Sequence, residues 1–261
     1  MKFLIFLLVS ISISAQNDSL NKQTKDSVTS ITHNIIIKDS LPMHTSFQLK
    51  PKHFIIPGVL ITYGVLATET KWFKKINFDT RNEITEDHPT FRTTIDNYTQ
   101  FVPGAAVFAL QAFGVKGESS VKKELIVYAM SIGISTAIVV PTKKLTHQER
   151  PDGSNNQSFP SGHTALAFAS AEFLRREYWD VSPWIGIAGY AVATGTGVLR
   201  MYNNKHWLGD VAAGAGIGIL STTLSYWLYD KIHIGKNAKH QAFLFPGYSN
   251  KQFTIGYVKQ F

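Results

Sequence analysis

The chain contains no cysteine. Disulfide bonds, thiolate nucleophiles and cysteine-ligated zinc are therefore excluded. An oxidising compartment is compatible with that composition without being demanded by it. Internal repeats and low-complexity blocks are also missing, and no apolar block alternates with a sustained period of two. Acidic residues are in deficit: 18 Asp and Glu stand against 26 Lys and Arg, a formal net charge of +8. That balance favours anionic partners such as phosphates or an acidic membrane surface. It serves plain solubility equally well, so charge alone assigns no function. Nothing in the chain suggests nucleic acid as a partner.

What is present begins with Lys2, a mostly apolar run over residues 3–13, and the small residues Ser12, Ser14 and Ala15. This reads as a secretory signal over residues 1–15, cleaved after Ala15, with an uncleaved anchor as the alternative. Residues 16–50 are polar and read as a flexible leader, in which residues 31–37 are a candidate short strand. From residue 54 the chain alternates apolar blocks with polar connections. The blocks cover residues 54–67, 101–115, 125–140, 164–173, 184–198 and 211–228. Their composition predicts six helices in one all-α domain over residues 51–232. Pro103, Pro141 and Pro183 lie near block ends, where helix boundaries are expected. None of the blocks reaches the ~20 residues of a simple spanning helix. The fourth also contains Glu172, followed by Arg175 and Arg176, charges that are costly in hydrocarbon. Residues 233–261 form a tail that reads as a candidate β-hairpin around Asn250-Lys251, or as a strap docked on the bundle.

Three segments hold polar groups that helix packing does not require. The first is Lys143, six residues, then Arg150-Pro151. The second is Phe159-Pro160-Ser161-Gly162-His163-Thr164. The third is Arg200, five residues, His206, three residues, Asp210. Fixed cations hold the non-bridging oxygens of a phosphoryl group, and guanidinium forks bind two oxygens at once. Ser161-Gly162-His163 precedes a helix, whose first N–H groups point at an anion. The i, i+4 spacing puts His206 and Asp210 on one helix face. A carboxylate on one imidazole nitrogen fixes the tautomer and frees the other to attack. His163 is then left to protonate a leaving oxygen. Each segment alone is weak, since a cap, a surface charge or an exposed ion pair would look the same. His147 and His88 read as a loop and a turn residue.

Taken together, the three segments resemble the three-part signature of the type 2 phosphatidic acid phosphatase superfamily, shared with vanadium-dependent haloperoxidases and class A acid phosphatases. The resemblance spans about residues 100–230. It implies a six-helix bundle of that type, needing no metal or other cofactor. It further implies that Lys143, Arg150 and Arg200 bind the phosphoryl oxygens, with Ser161 and Gly162 completing the cradle. His206 would attack phosphorus, Asp210 would orient it, and His163 would act as general acid. The signature usually has Ser before the third-motif Arg; here Leu199 stands there, with Thr194 or Thr196 as substitutes.

The expected function is hydrolysis of a phosphomonoester or pyrophosphate, with a lipid carrier (phosphatidate-like, prenyl pyrophosphate or lipid A) favoured by the apolar bundle. The alternatives are a periplasmic acid phosphatase on soluble organic phosphates, a vanadate-dependent haloperoxidase, and a non-enzymatic anion-binding envelope protein. The expected location is the cell envelope, on the periplasmic side, peripheral to or embedded in a membrane. Three full crossings before Lys143 would conflict with that side if the mature amino terminus lies outside.

Overall fold

The structure, a computed structural model, describes residues 47–237, 242–249 and 252–259. The signal, the candidate strand at residues 31–37 and the leader up to residue 46 lie outside the described residues. Eight helices follow in chain order among the described residues: α1 (Lys52–Glu69), α2 (Lys71–Asp87), α3 (Asp96–Thr99), α4 (Val102–Ala112), α5 (Val121–Thr146), α6 (Gly162–Tyr178), α7 (Pro183–Tyr202) and α8 (Leu208–Asn237). Each of the six expected helices is present. Two were not expected: α2, whose sequence is mostly polar, and α3, which is a single turn.

The helix ends follow local chemistry. Ser120 caps α5, accepting from Lys123 N–H at 3.4 Å, with Glu124 in the first turn and Lys143 and Lys144 in the last. Ser161 caps α6 by accepting from Thr164 N–H, and Arg175 and Arg176 sit in its last turn. These placements complement the helix dipole. Pro103 and Pro183 lie in the first turns of α4 and α7, as expected. Pro141 does not end its helix; it lies inside α5. The Thr142 and Thr146 hydroxyls bond back to the carbonyls of Ile138 (2.7 Å) and Thr142 (3.0 Å) in the turns around it. The continuation carries Lys143 to the site.

The core sits around α6, eleven of whose 17 residues are buried. Its charges pair with one another. Glu172, 3% exposed, accepts from Arg175 Nε at 2.7 Å, Arg176 Nε at 2.6 Å and the Tyr190 hydroxyl at 2.7 Å. α8 packs closely along α6. A Cβ on Gly214 would lie 2.5 Å from the Ser161 carbonyl oxygen, and one on Gly218 would collide with the Ala165 carbonyl and lie 2.7 Å from Ala169 N. Backbone contact of this kind sets the first turns of both helices side by side.

The helices outrun their apolar cores. α5 has 26 residues and holds an 18-residue stretch with a mean hydropathy of 1.9, and such a stretch within Leu208–Ile232 of α8 has 1.3, so both are long and apolar enough to cross a membrane. α1 and α2 meet at 92° and together pass the same test, whereas α4 is apolar but short. At the pole away from the site, Phe47 N–H donates to Asp230 at 2.7 Å, Asp230 pairs with Lys123 at 3.1 Å, and the Phe47 ring lies 4.4 Å under Arg176. The tail does form an antiparallel hairpin, β1 (Ala242–Ser249) with β2 (Gln252–Lys259), with Ala242 opposite Lys259 and Ser249 opposite Gln252.

Candidate active site

The last turns of α5 and α7, the first turns of α6 and α8, and α3 converge at one pole. Lys143 Nζ donates to the carbonyls of Gln157 (2.7 Å) and Ser158 (3.1 Å). Ser161 N–H donates to the Asp210 carbonyl at 3.0 Å, tying α6 to α8. The Ser161 hydroxyl meets the Thr164 hydroxyl at 2.8 Å. Both polar groups of Ser161 are thus engaged within the scaffold. Gly162 opens α6 beside them.

His206 is 3% exposed and Asp210 1%. Nδ1 of His206 lies 3.4 Å from Asp210 Oδ2, which also accepts the Trp207 N–H at 2.9 Å and the Ser158 hydroxyl. The carboxylate is thereby held by three donors on two chain segments, and Nε2 of His206 is left as the basic nitrogen. Burial pushes the His206 imidazole down to about 4, against the opposing pull of Asp210, with Lys143 and Arg200 adding to the decrease. Burial lowers His163 to about 4 as well. The Arg200 charge adds to the shift, Asp96 opposes it, and Arg150 and Lys143 contribute further. Lys143 and Arg200 thus act electrostatically on both imidazoles, and Arg150 on His163.

Arg200, 8% exposed, donates from Nη1 to Asp96 Oδ2 at 2.5 Å. His163 Nε2 lies 2.8 Å from Asn97 Oδ1. Both partners sit on α3. Asp96 and Asn97 follow no motif spacing, so no sequence signal marks them. Arg150 feels burial first and the Arg200 charge second, both working against its own charge. Nε of Arg150 and Nε of Arg200 are buried without a hydrogen-bond partner, as is Asp96 Oδ1. These are three of the five such side-chain atoms among the described residues. Clustered unpaired donors between like charges are what an anion would satisfy.

A cleft of about 600 Å³ opens beside this cluster, lined by Arg92, Thr93, Thr94, Asp96, Asn97, Arg200, Asn203 and Lys205. Of the predicted residues, Arg200 lines it directly and His163 reaches it through Asn97. His206 borders a separate void of about 10 Å³ with Arg81 and Trp207. The unexpected α2 braces both motif loops. Arg81 donates to the Pro151 carbonyl (3.3 Å) and to Asn204 Oδ1 (3.2 Å), and Asn77 Oδ1 accepts from Gly209 N–H at 3.0 Å. Lys205 joins Asp152 at 2.5 Å across the same gap. Thr196, offered as a stand-in for the missing Ser, is 1% exposed and bonds the Thr99 hydroxyl at 2.8 Å and the Val192 carbonyl at 3.0 Å. It is therefore committed to packing, and Thr194 is exposed. His147 caps α5 in a left-handed conformation, and His88 ends α2 against the Tyr202 ring.

Residues 124–234 match the family model of the PAP2 superfamily, the class that the three motifs resemble, so the resemblance is borne out over the helices that carry them. Among individual relatives, 144 residues are 44% identical to a lipid A 1-phosphatase of Porphyromonas gingivalis, covering 55% of this chain and 32% of that one. A 77-residue stretch is 35% identical to the bacitracin transport permease protein BcrC of Bacillus licheniformis, covering 30% of this chain and 36% of that one. The chain thus spans about a third of the length of the curated relatives it matches. Two crystal structures are similar at lower levels. Aquifex aeolicus LpxE aligns with a TM-score of 0.43 at 22% identity, over 55% of this chain and 92% of that one. A transmembrane PAP2 type phosphatidylglycerolphosphate phosphatase from Bacillus subtilis aligns with 0.45 at 18%, over 70% and 98%.

Proposed function

We propose that the protein is a phosphatase that hydrolyses a lipid-borne phosphomonoester or pyrophosphate through a phosphohistidine. The observation that carries this reading is the pair of buried, unpaired guanidinium nitrogens on Arg150 and Arg200, beside two imidazoles held neutral. Lys143, Arg150 and Arg200 receive the phosphoryl oxygens with the Gly162 N–H, whereas Ser161, expected in the cradle, spends its N–H on the Asp210 carbonyl and its hydroxyl on Thr164. His206 Nε2 forms an N–P bond as the ester P–O bond breaks, and Asp210 holds the ring through Nδ1. His163 passes a proton to the departing oxygen. Water then gives a proton back to His163, attacks phosphorus and releases phosphate as the N–P bond breaks. The arriving phosphate offsets the three positive charges and raises the proton affinity of His163, so the acid is charged when it is needed. Fixed cations supply the electrostatic stabilisation that phosphoryl transfer requires.

A lipid carrier is supported by the two long apolar helices, by exposed apolar side chains such as Ile55, Ile56, Trp72 and Trp184, and by the lipid substrate in the name of the Porphyromonas gingivalis relative. The protein then works at an envelope membrane, with the site on the periplasmic side. Purified full-length chain, assayed with EDTA on lipid phosphates and on soluble organic phosphates, is expected to release phosphate fastest from the lipids. Phosphate release unchanged in His206→Ala would remove the nucleophile and leave an anion-binding protein as the better reading.

A further inference from the structure

Asp96 is used by none of the motifs and by no step of the proposed reaction. It is 1% exposed, it lines the cleft, and one of its oxygens holds the Arg200 guanidinium at 2.5 Å. Its other oxygen, Oδ1, is buried with no hydrogen-bond partner. A carboxylate beside a phosphate site is repelled by the incoming anion, and an unsatisfied buried acceptor is itself costly. One ligand feature relieves both problems: a neutral hydroxyl close to the phosphate. Such a group donates to Oδ1 while its own phosphoryl oxygens take the unpaired Arg200 Nε.

The surrounding wall mixes the neutral polar residues Thr93, Thr94, Asn97 and Asn203 with the cations Arg92 and Lys205. That wall is held firmly. Asn203 Oδ1 accepts from Thr93 N–H at 2.9 Å, and Asn203 Nδ2 donates to the Thr93 carbonyl at 3.0 Å. Both ends of the segment, Thr93 and Asp96, are thus fastened to the last turn of α7 and the residue that follows it.

Building on the phosphatase reading, we infer that Asp96 is a specificity-determining residue that selects lipid phosphates with a free hydroxyl next to the scissile phosphate. Glycerol-phosphate headgroups with a free neighbouring hydroxyl, and sugar phosphates whose neighbouring carbon keeps its hydroxyl, meet this requirement. Prenyl diphosphates and phosphates on fully esterified glycerol do not.

The test uses purified full-length protein and three substrates: a lipid-linked glycosyl phosphate, its analogue lacking the adjacent hydroxyl, and a prenyl diphosphate. The native chain is expected to show kcat/KM about 10- to 100-fold higher on the hydroxyl-bearing substrate than on either other. Asp96→Ala should lose that preference, chiefly by slowing on the hydroxyl-bearing substrate. Asp96→Asn, which keeps an acceptor oxygen, should retain part of it. A native-chain ratio near one overturns the inference whatever the variants do. So does an equal loss on all three substrates in folded Asp96→Ala, which would make Asp96 only a holder of Arg200. Absence of turnover on all three by folded native protein would instead overturn the phosphatase reading, and the selectivity with it.

Discussion

Burial keeps His163 and His206 neutral, yet the proposed reaction asks opposite things of them. A nucleophile must be unprotonated, and the low value of about 4 keeps His206 so through neutral pH. We expect His206→Ala to lower kcat by at least about 10³-fold, with loss of the acid-labile phosphoprotein in a rapid-quench experiment. His163→Ala should cost about 10²- to 10⁴-fold in kcat, read most clearly on substrates with poor leaving groups. At Arg200 a charge is not enough. Lysine lacks the fork that meets Asp96 and still offers Nε to an anion, so Arg200→Lys should cost about 10²-fold in kcat/KM. Of the residues discussed here, the motif positions were legible because their spacing is tied to reaction chemistry. Asp96 and Asn97 were not, because a pairing across 104 or 66 positions leaves no periodic trace.

The six long helices were legible from their apolar blocks, since burial against neighbours selects the same small and aliphatic residues throughout. α2 was missed for the converse reason: it rests on loops and buries only Asn77 among its 17 residues. Its function in the fold rests on polar bonds from Asn77 and Arg81, which a hydrophobic pattern cannot report. Pro141 misled because a proline removes one backbone N–H without always ending a helix, and α5 runs on past it to Thr146. Glycine positions give a test at this scale. Gly218→Ala places a methyl group against the α6 backbone and should destabilise by about 1–3 kcal/mol, seen as a lower thermal midpoint. Gly195→Ala meets no atom within 4 Å. It should be neutral or stabilise by up to about 1 kcal/mol.

For the molecule as a whole, the two buried imidazoles link stability to pH. Their folded values lie near 4, below the ordinary 6.5. Between those values the unfolded chain binds more protons than the folded one, so stability falls as pH drops from 6.5 towards 4. Above 6.5 this contribution is complete. Thermal midpoints measured across that window should fall with acidification, and less steeply in His163→Ala. Sidedness can be read directly because the native chain has no cysteine. Asn155→Cys, in the loop between α5 and α6, should react with an impermeant maleimide applied from the periplasmic side; protection there would move the site to the inner face.

The Phe47 anchor fixes one more property. Phe47 is pinned to Asp230 and Arg176, at the start of α5 and the ends of α6 and α8, whereas the phosphate cluster crowns their other ends. From Lys123, which shares Asp230 with Phe47, to Lys143 in the cluster, α5 rises about 30 Å at 1.5 Å per residue, close to the ~30 Å of a hydrocarbon core. If the bundle is inserted lengthwise, the chain therefore enters it on one face of the bilayer and does its chemistry on the other. A cysteine placed at residue 47 would then be labelled from the face opposite the one that receives the product.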